Sequence, residues 1–340
     1  MVSHEAIDEL HRKLVDTGVA LPARFRALFS LRGIGGAQAI AAMLDGLKDD
    51  SALLRHEIAF CLGQMQDSAA VPFLVDILKN AEEHPMVRHE AAEALGAIAT
   101  EECLTPLQDN LQDPAQEVRE TCMLALRRLQ EAKKEEGGRE QSDGGSIDDA
   151  QPAGSTKERM AAAAAPECVK ANSPYLSVDP APALSSDVST SELRAILLNE
   201  EEDMFQRYAA LFALRNQGGK EAVDALTESL TSSSALLKHE VAYVLGQLQQ
   251  GAAVETLAGV LENESENPMV RHEAAEALGS IADARCIELL RRHLTHGERI
   301  VAESCLVALD ILDYENSGEF HYADMSSSEA ASSPAVVEAH

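Results

Sequence analysis

The sequence predicts an all-α protein, a solenoid of stacked helical hairpins in two pseudo-symmetric halves of four repeats each, and three observations lead there. The stretch Val87-Arg88-His89-Glu90-Ala91-Ala92-Glu93-Ala94-Leu95-Gly96 returns 183 residues later as Val270-Arg271-His272-Glu273-Ala274-Ala275-Glu276-Ala277-Leu278-Gly279. A weaker copy lies 33 residues before each, as Arg55-His56-Glu57-Ile58-Ala59-Phe60-Cys61-Leu62-Gly63 and Lys238-His239-Glu240-Val241-Ala242-Tyr243-Val244-Leu245-Gly246. A period slightly over 30 residues with two apolar helical segments per unit is the pattern of an α-solenoid. Composition agrees: 45% of the residues are hydrophobic but only 4% aromatic, with no Trp. Such a core is built from Ala, Leu, Ile, Val and Met, which suits close-packed helices better than a β-sandwich.

In chain order, a short lead with an amphipathic turn over Leu10 to Leu14 comes first, and Arg24-Phe25-Arg26-Ala27-Leu28-Phe29-Ser30-Leu31-Arg32 opens the periodic pattern. From Phe25, equivalent positions step to His56, His89 and Glu120, and the second half steps in the same way from Tyr208 to His239, His272 and Glu303. Within the unit at 71–99, Val71, Phe73, Leu74, Ile77 and Leu78 make one helical stripe, Asn80 to Pro85 turn the chain, and Val87 to Ala99 make the second helix. Pro85 is tolerated in a first turn, where its missing N–H costs nothing. Gly63, Gly96, Gly246 and Gly279 recur at one register position, which permits close approach of a neighbouring helix.

Periodicity collapses over 131–190 into Lys133-Lys134-Glu135-Glu136-Gly137-Gly138, Asp143-Gly144-Gly145, an Ala161 to Ala165 run and Pro- and Ser-rich text. The expected organisation is a repeat half at 1–130, a flexible linker at 131–190, a second half at 191–315 and a disordered tail at 316–340.

A formal net charge of -29 repels phosphate backbones and anionic membrane surfaces, so no nucleic acid and no membrane partner is expected. A basic protein or a cationic small group is the natural partner, and solubility alone is an equal explanation for the excess of acid. The six cysteines form no CxxC pair, and Cys103/Cys286 and Cys122/Cys305 repeat at the 183-residue spacing, as packing residues would. No apolar run approaches the roughly 18 residues of a membrane span, and Asp8, Glu9 and His11 near the start argue against a signal peptide. The expectation is a cytoplasmic protein with reduced thiols.

Most of the central motif has a bland explanation, because short HEAT-type repeats use Val-Arg-x-x-Ala-Ala-x-Ala-Leu-Gly to pack helix on helix. The His-Glu pair is left over, and the outer repeats supply the control. They carry Phe25-Arg26, Glu120-Thr121, Tyr208-Ala209 and Glu303-Ser304 there, so the scaffold does not demand His-Glu. The candidate metal ligands are therefore His56, Glu57, His89, Glu90, His239, Glu240, His272 and Glu273. Imidazole with carboxylate and no thiolate suits iron, manganese or zinc, and eight ligands suffice for two ions. Neighbours on a helix diverge by about 100°, which suggests that ligands are shared between stacked repeats and across the halves. That division puts His56, His89 and Glu240 on one ion and His239, His272 and Glu57 on the other.

With all four His-Glu motifs in order over both halves, the sequence resembles the deoxyhypusine hydroxylase family. The resemblance implies a HEAT-repeat di-iron monooxygenase that hydroxylates the deoxyhypusine side chain of translation initiation factor 5A to hypusine, with two Fe²⁺ ions and molecular oxygen. It implies the same eight residues as the ligand set, with Glu90 and Glu273 either ligating or lying outside the ligand shell. Met86 and Met269, at the entries of two ligand helices, are candidates to line the cleft or simply to pack. Three alternatives stand beside it: a non-catalytic HEAT-repeat interaction scaffold, a bilin lyase sharing the short repeat pattern, and a zinc or manganese hydrolase. Metal content separates the first two from the family; the reaction separates the third.

Overall fold

In the computed structural model, residues 4–142 and 173–317 are described. The N-terminal half runs α1 (His4–Val15), α2 (Leu21–Ile34), α3 (Gly36–Gly46), α4 (Ala52–Met65), α5 (Val71–Lys79), α6 (Pro85–Ile98), α7 (Leu104–Asp109) and α8 (Gln116–Ser142). The C-terminal half runs α9 (Thr190–Leu198), α10 (Met204–Gln217), α11 (Gly219–Ser229), α12 (Ala235–Leu248), α13 (Val254–Glu262), α14 (Pro268–Ile281), α15 (Ile287–His293) and α16 (Arg299–Ser317). No strand occurs among the described residues. Consecutive helices pair into four hairpins per half, and the even-numbered helices pack side by side, α4 on α6, α6 on α8, α12 on α14 and α14 on α16.

Local chemistry explains the boundaries. Ser51 and Ser234 cap α4 and α12, each accepting a hydrogen bond from a backbone N–H, of Leu54 and Leu237 respectively, at 3.1 Å. Pro85 and Pro268 open α6 and α14, with His84 and Asn267 as caps. Arg24, Arg88, Arg207 and Arg271 each donate from Nε to a carbonyl of the preceding helix, of Leu14, Leu78, Leu197 and Leu261, at 2.8–3.1 Å. Arg88 is also ion-paired to Asp113 and buried. These arginines tie together the two helices of the alternate hairpins α1–α2, α5–α6, α9–α10 and α13–α14, which accounts for the Arg of the repeated motif.

The recurrent glycines mark close helix contacts. A Cβ on Gly96 would lie 2.7 Å from Cβ of Ala125, and one on Gly279 would lie 2.6 Å from the carbonyl of Ala308. A Gly96→Val variant is expected to lose about 1–3 kcal/mol by overpacking, read by chemical denaturation; an unchanged midpoint would show that the helices can separate freely.

Two expectations change. Phe73 is 45% exposed, because the buried stripe of α5 is Val71, Leu74 and Leu78. The stretch 131–190 is not linker throughout: α8 continues to Ser142, and 173–189 packs against both halves, burying Ala181, Ala183 and Leu184. Its Pro- and Ser-rich composition reads as linker because it is held by side chains of neighbouring helices rather than by its own periodicity. The Ala161 to Ala165 run and residues 318–340 lie outside the described residues. Cys61, Cys103, Cys122, Cys286 and Cys305 are buried free thiols, and Met86 and Met269 are buried packing residues.

The halves meet reciprocally. Ser51 donates to Glu303 and Ser234 donates to Glu120, both at 2.7 Å. Glu120 and Glu303 hold the register position that carries His in the middle repeats, so the outer repeats use it to grip the capped start of a helix from the opposite half. This closure brings α4, α6, α12 and α14 face to face.

Candidate metal centre

Each of those four helices presents one His-Glu pair to the interface. His56, His89, His239 and His272 are buried, and their rings form one cluster in which five ring pairs have centroids between 5.2 and 6.0 Å apart. All eight ring nitrogens lack a hydrogen-bond partner. Carboxylates come close without the alignment of a hydrogen bond: Glu90 Oε2 lies 3.2 Å from His56 Nε2, and Glu273 Oε2 lies 3.5 Å from His239 Nε2. A buried polar nitrogen left unpaired costs roughly 1–3 kcal/mol. Eight of them converging on one space, with carboxylates alongside, fit a cation-binding centre and have no packing rationale.

Ligand atoms within 4.8 Å of one another fall into three groups, His56/His89/Glu90, His56/His239/His272 and His272/Glu273/Glu276. The division deduced from spacing therefore changes. The carboxylate beside His56 and His89 is Glu90 of the same half, and Glu240 belongs to none of the groups. The 100° divergence of adjacent helix positions is overcome by the long, freely rotating glutamate side chain, so His89 and Glu90 converge. Glu57 lies 3.8 Å from His56 Nδ1.

Two carboxylates outside the His-Glu pairs also face this space. Glu93 and Glu276 lie three residues beyond Glu90 and Glu273, on the same helix face, and both line the cavity of about 460 Å³ that reaches the cluster. Their signal is present in the sequence, since the repeated ten-residue motif contains them at a position the packing consensus leaves open. Glu276 accepts from Ser304 at 3.0 Å and lies 3.5 Å from His272 Nδ1. Phe60 and Tyr243, equivalent across the halves, meet edge to face at 6.1 Å on the cavity wall.

The electrostatics of this space are those of an uncompensated anion cluster. Burial raises the pKa values of Glu57, Glu93, Glu240, Glu273 and Glu276 above the ordinary carboxylate value, and neighbouring carboxylates raise those of all but Glu276 further. Glu240 reaches about 8 and Glu276 about 7. Burial, then mutual repulsion with the other imidazoles, pushes His89, His239 and His272 well below the usual histidine value and keeps them neutral, as metal ligation requires. Burial also opposes charge on His56, but Glu57 and Glu90 outweigh it and hold its value high.

The HEAT-repeat family model matches residues 22–83, 40–127, 190–265 and 230–310. Among curated proteins, the chain is 49% identical to human deoxyhypusine hydroxylase over 95% of its length and 97% of the relative's, and 49% identical to the rat protein over the same shares. The Drosophila melanogaster protein of the same name is 46% identical, again over 95% of this chain and 97% of the relative. A solved structure of human deoxyhypusine hydroxylase in complex with glycerol superposes with a TM-score of 0.79 at 48% identity, covering 91% of this chain and 96% of that one.

Proposed function

The chain belongs to the deoxyhypusine hydroxylase family and catalyses the hydroxylation that forms hypusine, and we propose that it does so on translation initiation factor 5A with two irons held between its halves. The observation that carries the metal assignment is the set of eight buried, unpartnered imidazole nitrogens gathered from four helices. His56, His89 and Glu90 would hold one iron, and their counterparts His239, His272 and Glu273 the other. The bound pair supplies the activation of molecular oxygen that a hydroxylation of an unactivated carbon requires.

The remaining groups handle the substrate. Deoxyhypusine is a lysine extended by an aminobutyl arm, so it brings two ammonium charges into the cavity. Glu57, Glu93, Glu240 and Glu276 ring the cluster without being needed to complete the two triads, and each favours a cation over its own buried charge. They fix the arm by charge-assisted hydrogen bonds so that its carbon, not its nitrogen, lies over the metals. Phe60 and Tyr243 bound the cavity with apolar ring surface and exclude water from the methylenes.

No helix of the described residues is long and apolar enough to cross a membrane. A cytoplasmic site of action agrees with the expected substrate.

The test is elemental analysis of the purified protein followed by incubation with the deoxyhypusine-bearing factor, oxygen and a reductant. About two irons per chain and hypusine on acid hydrolysis are expected. An iron-loaded protein that leaves deoxyhypusine untouched would overturn the assignment, and hypusine formed by a protein that holds zinc alone would overturn the iron reading.

A further inference from the structure

The two halves are related by the 183-residue shift, so two equivalent grooves should flank the cluster, and the chain treats them differently. The first groove lies between α2 and α4 on one side and α12, α14 and α16 on the other, with Phe29, Arg32, Ser280, Ile311 and Glu315 at its rim, and it opens into the central cavity. Subtracting or adding 183 gives the second, whose rim is Phe212, Arg215, Ala97, Arg128 and Ala132.

The second groove is filled by the chain itself. Tyr175 stacks on the Arg215 guanidinium, with 4.6 Å to the ring centroid, and Asp179 accepts from Arg215 Nη1 and Nη2 at 2.9 and 2.5 Å. Val178 donates its N–H to Gln64 Oε1 at 2.8 Å and accepts from Gln64 Nε2 at 3.3 Å. Segment 173–184 thereby touches both halves and covers Arg215, which is 1% exposed. In the first groove, Arg32 lies against the rings of Phe29 and Phe60, and no carboxylate is ion-paired to it among the described residues.

Charge differs in the same sense. The filled groove carries two arginines, Arg128 and Arg215, and receives the acidic Asp179. The open groove has Ile311 where the other has Arg128, and exposed Glu315 where the other has Ala132. Beyond Glu315 its wall continues to Glu276 and Glu57. One groove is built to be closed by an anionic segment, and the other to draw in a cation.

We propose that the groove between Arg32 and Glu315 is the single entrance to the metal centre, that it admits the cationic side chain of the substrate protein, and that segment 173–184 plugs its pseudo-symmetric counterpart. The inference rests on the hydroxylase reading above and adds a direction to it. The substrate approaches an almost two-fold centre from one side only, so the two halves of the centre are not interchangeable towards it.

The experiment pairs two equivalent charge insertions, Glu315→Lys at the open rim and Ala132→Lys at the closed one, in the full-length iron-loaded protein. KM for the deoxyhypusine-bearing factor should rise about 10-fold or more in Glu315→Lys, with kcat and iron content at parental levels. Ala132→Lys should leave KM within about two-fold, since a rim charge acts through steering of its own mouth. Equal increases in both variants, or none in Glu315→Lys, would overturn the single entrance. A protein lacking residues 318–340 whose KM falls about 10-fold would show the tail occupying the groove, and would overturn it too. A parent that binds iron but makes no hypusine would instead remove the hydroxylase reading, so the two failures are distinct.

Discussion

A His56→Ala, His239→Ala double variant is expected to lose nearly all bound metal and at least about 1000-fold in hydroxylation while unfolding within a few degrees of the metal-free parent. Each substitution removes one nitrogen donor set from a proposed triad, and two donors with one carboxylate become one with one. Stability is spared because these imidazoles contribute no hydrogen bond in the metal-free fold, and their unpartnered burial is itself unfavourable. The contrast lies within the same ten-residue motif. Arg88→Ala, one position before His89, leaves Asp113 buried without its partner and the Leu78 carbonyl without its donor, and should cost about 3–5 kcal/mol. Metal analysis, activity and thermal unfolding of both variants separate the scaffold residues of the motif from its chemical ones. A double variant that kept parental iron would place the metal elsewhere.

This contrast also shows what the sequence could disclose. Packing obeys local periodicity, so the hairpins, the boundaries of α5 and α6 and the close contacts at Gly63, Gly96 and Gly279 were readable from spacing alone. The eight ligand candidates were readable because the outer repeats, with Glu120 and Glu303 in the same register, showed what the scaffold does not need. The distribution of carboxylates was not, because it depends on side-chain torsions and on how the halves meet: Glu90, not Glu240, approaches His56. Glu93 and Glu276 were hidden for another reason. At i+3 from Glu90 and Glu273 they satisfy the helix pattern equally well as solvated surface, and only the facing half covers them. Segment 173–184 is the largest gap, since its order comes from Arg215 and Gln64, residues 31 or more positions away from it, and leaves no periodic trace.

Raising the pH from 6.5 to 8 should destabilise the metal-free protein and leave the iron-loaded protein nearly unaffected. Glu240, raised to about 8, and Glu276, raised to about 7, bind protons in the folded state at pH values where the unfolded carboxylates have lost theirs. Folding is then linked to proton uptake, and stability falls as pH rises from the unfolded carboxylate value through the folded one. His89, His239 and His272 have the opposite sign, because their depressed values make the folded state bind fewer protons, but that contribution is already half complete at about pH 6.5 and is spent by about pH 7.5. His56, with its raised value, adds to the carboxylate trend above that point. The raised carboxylates and His56 outnumber the three histidines, whose opposing contribution fades within the first pH unit, so the metal-free unfolding temperature should fall across the window, most steeply above about pH 7.5. Cations in the cluster replace those protons, so loading should release protons on titration at pH 7 and affinity should rise with pH. A metal-free protein whose unfolding temperature is flat or rising between pH 6.5 and 8 would mean that the buried carboxylates are already neutralised by some other cation.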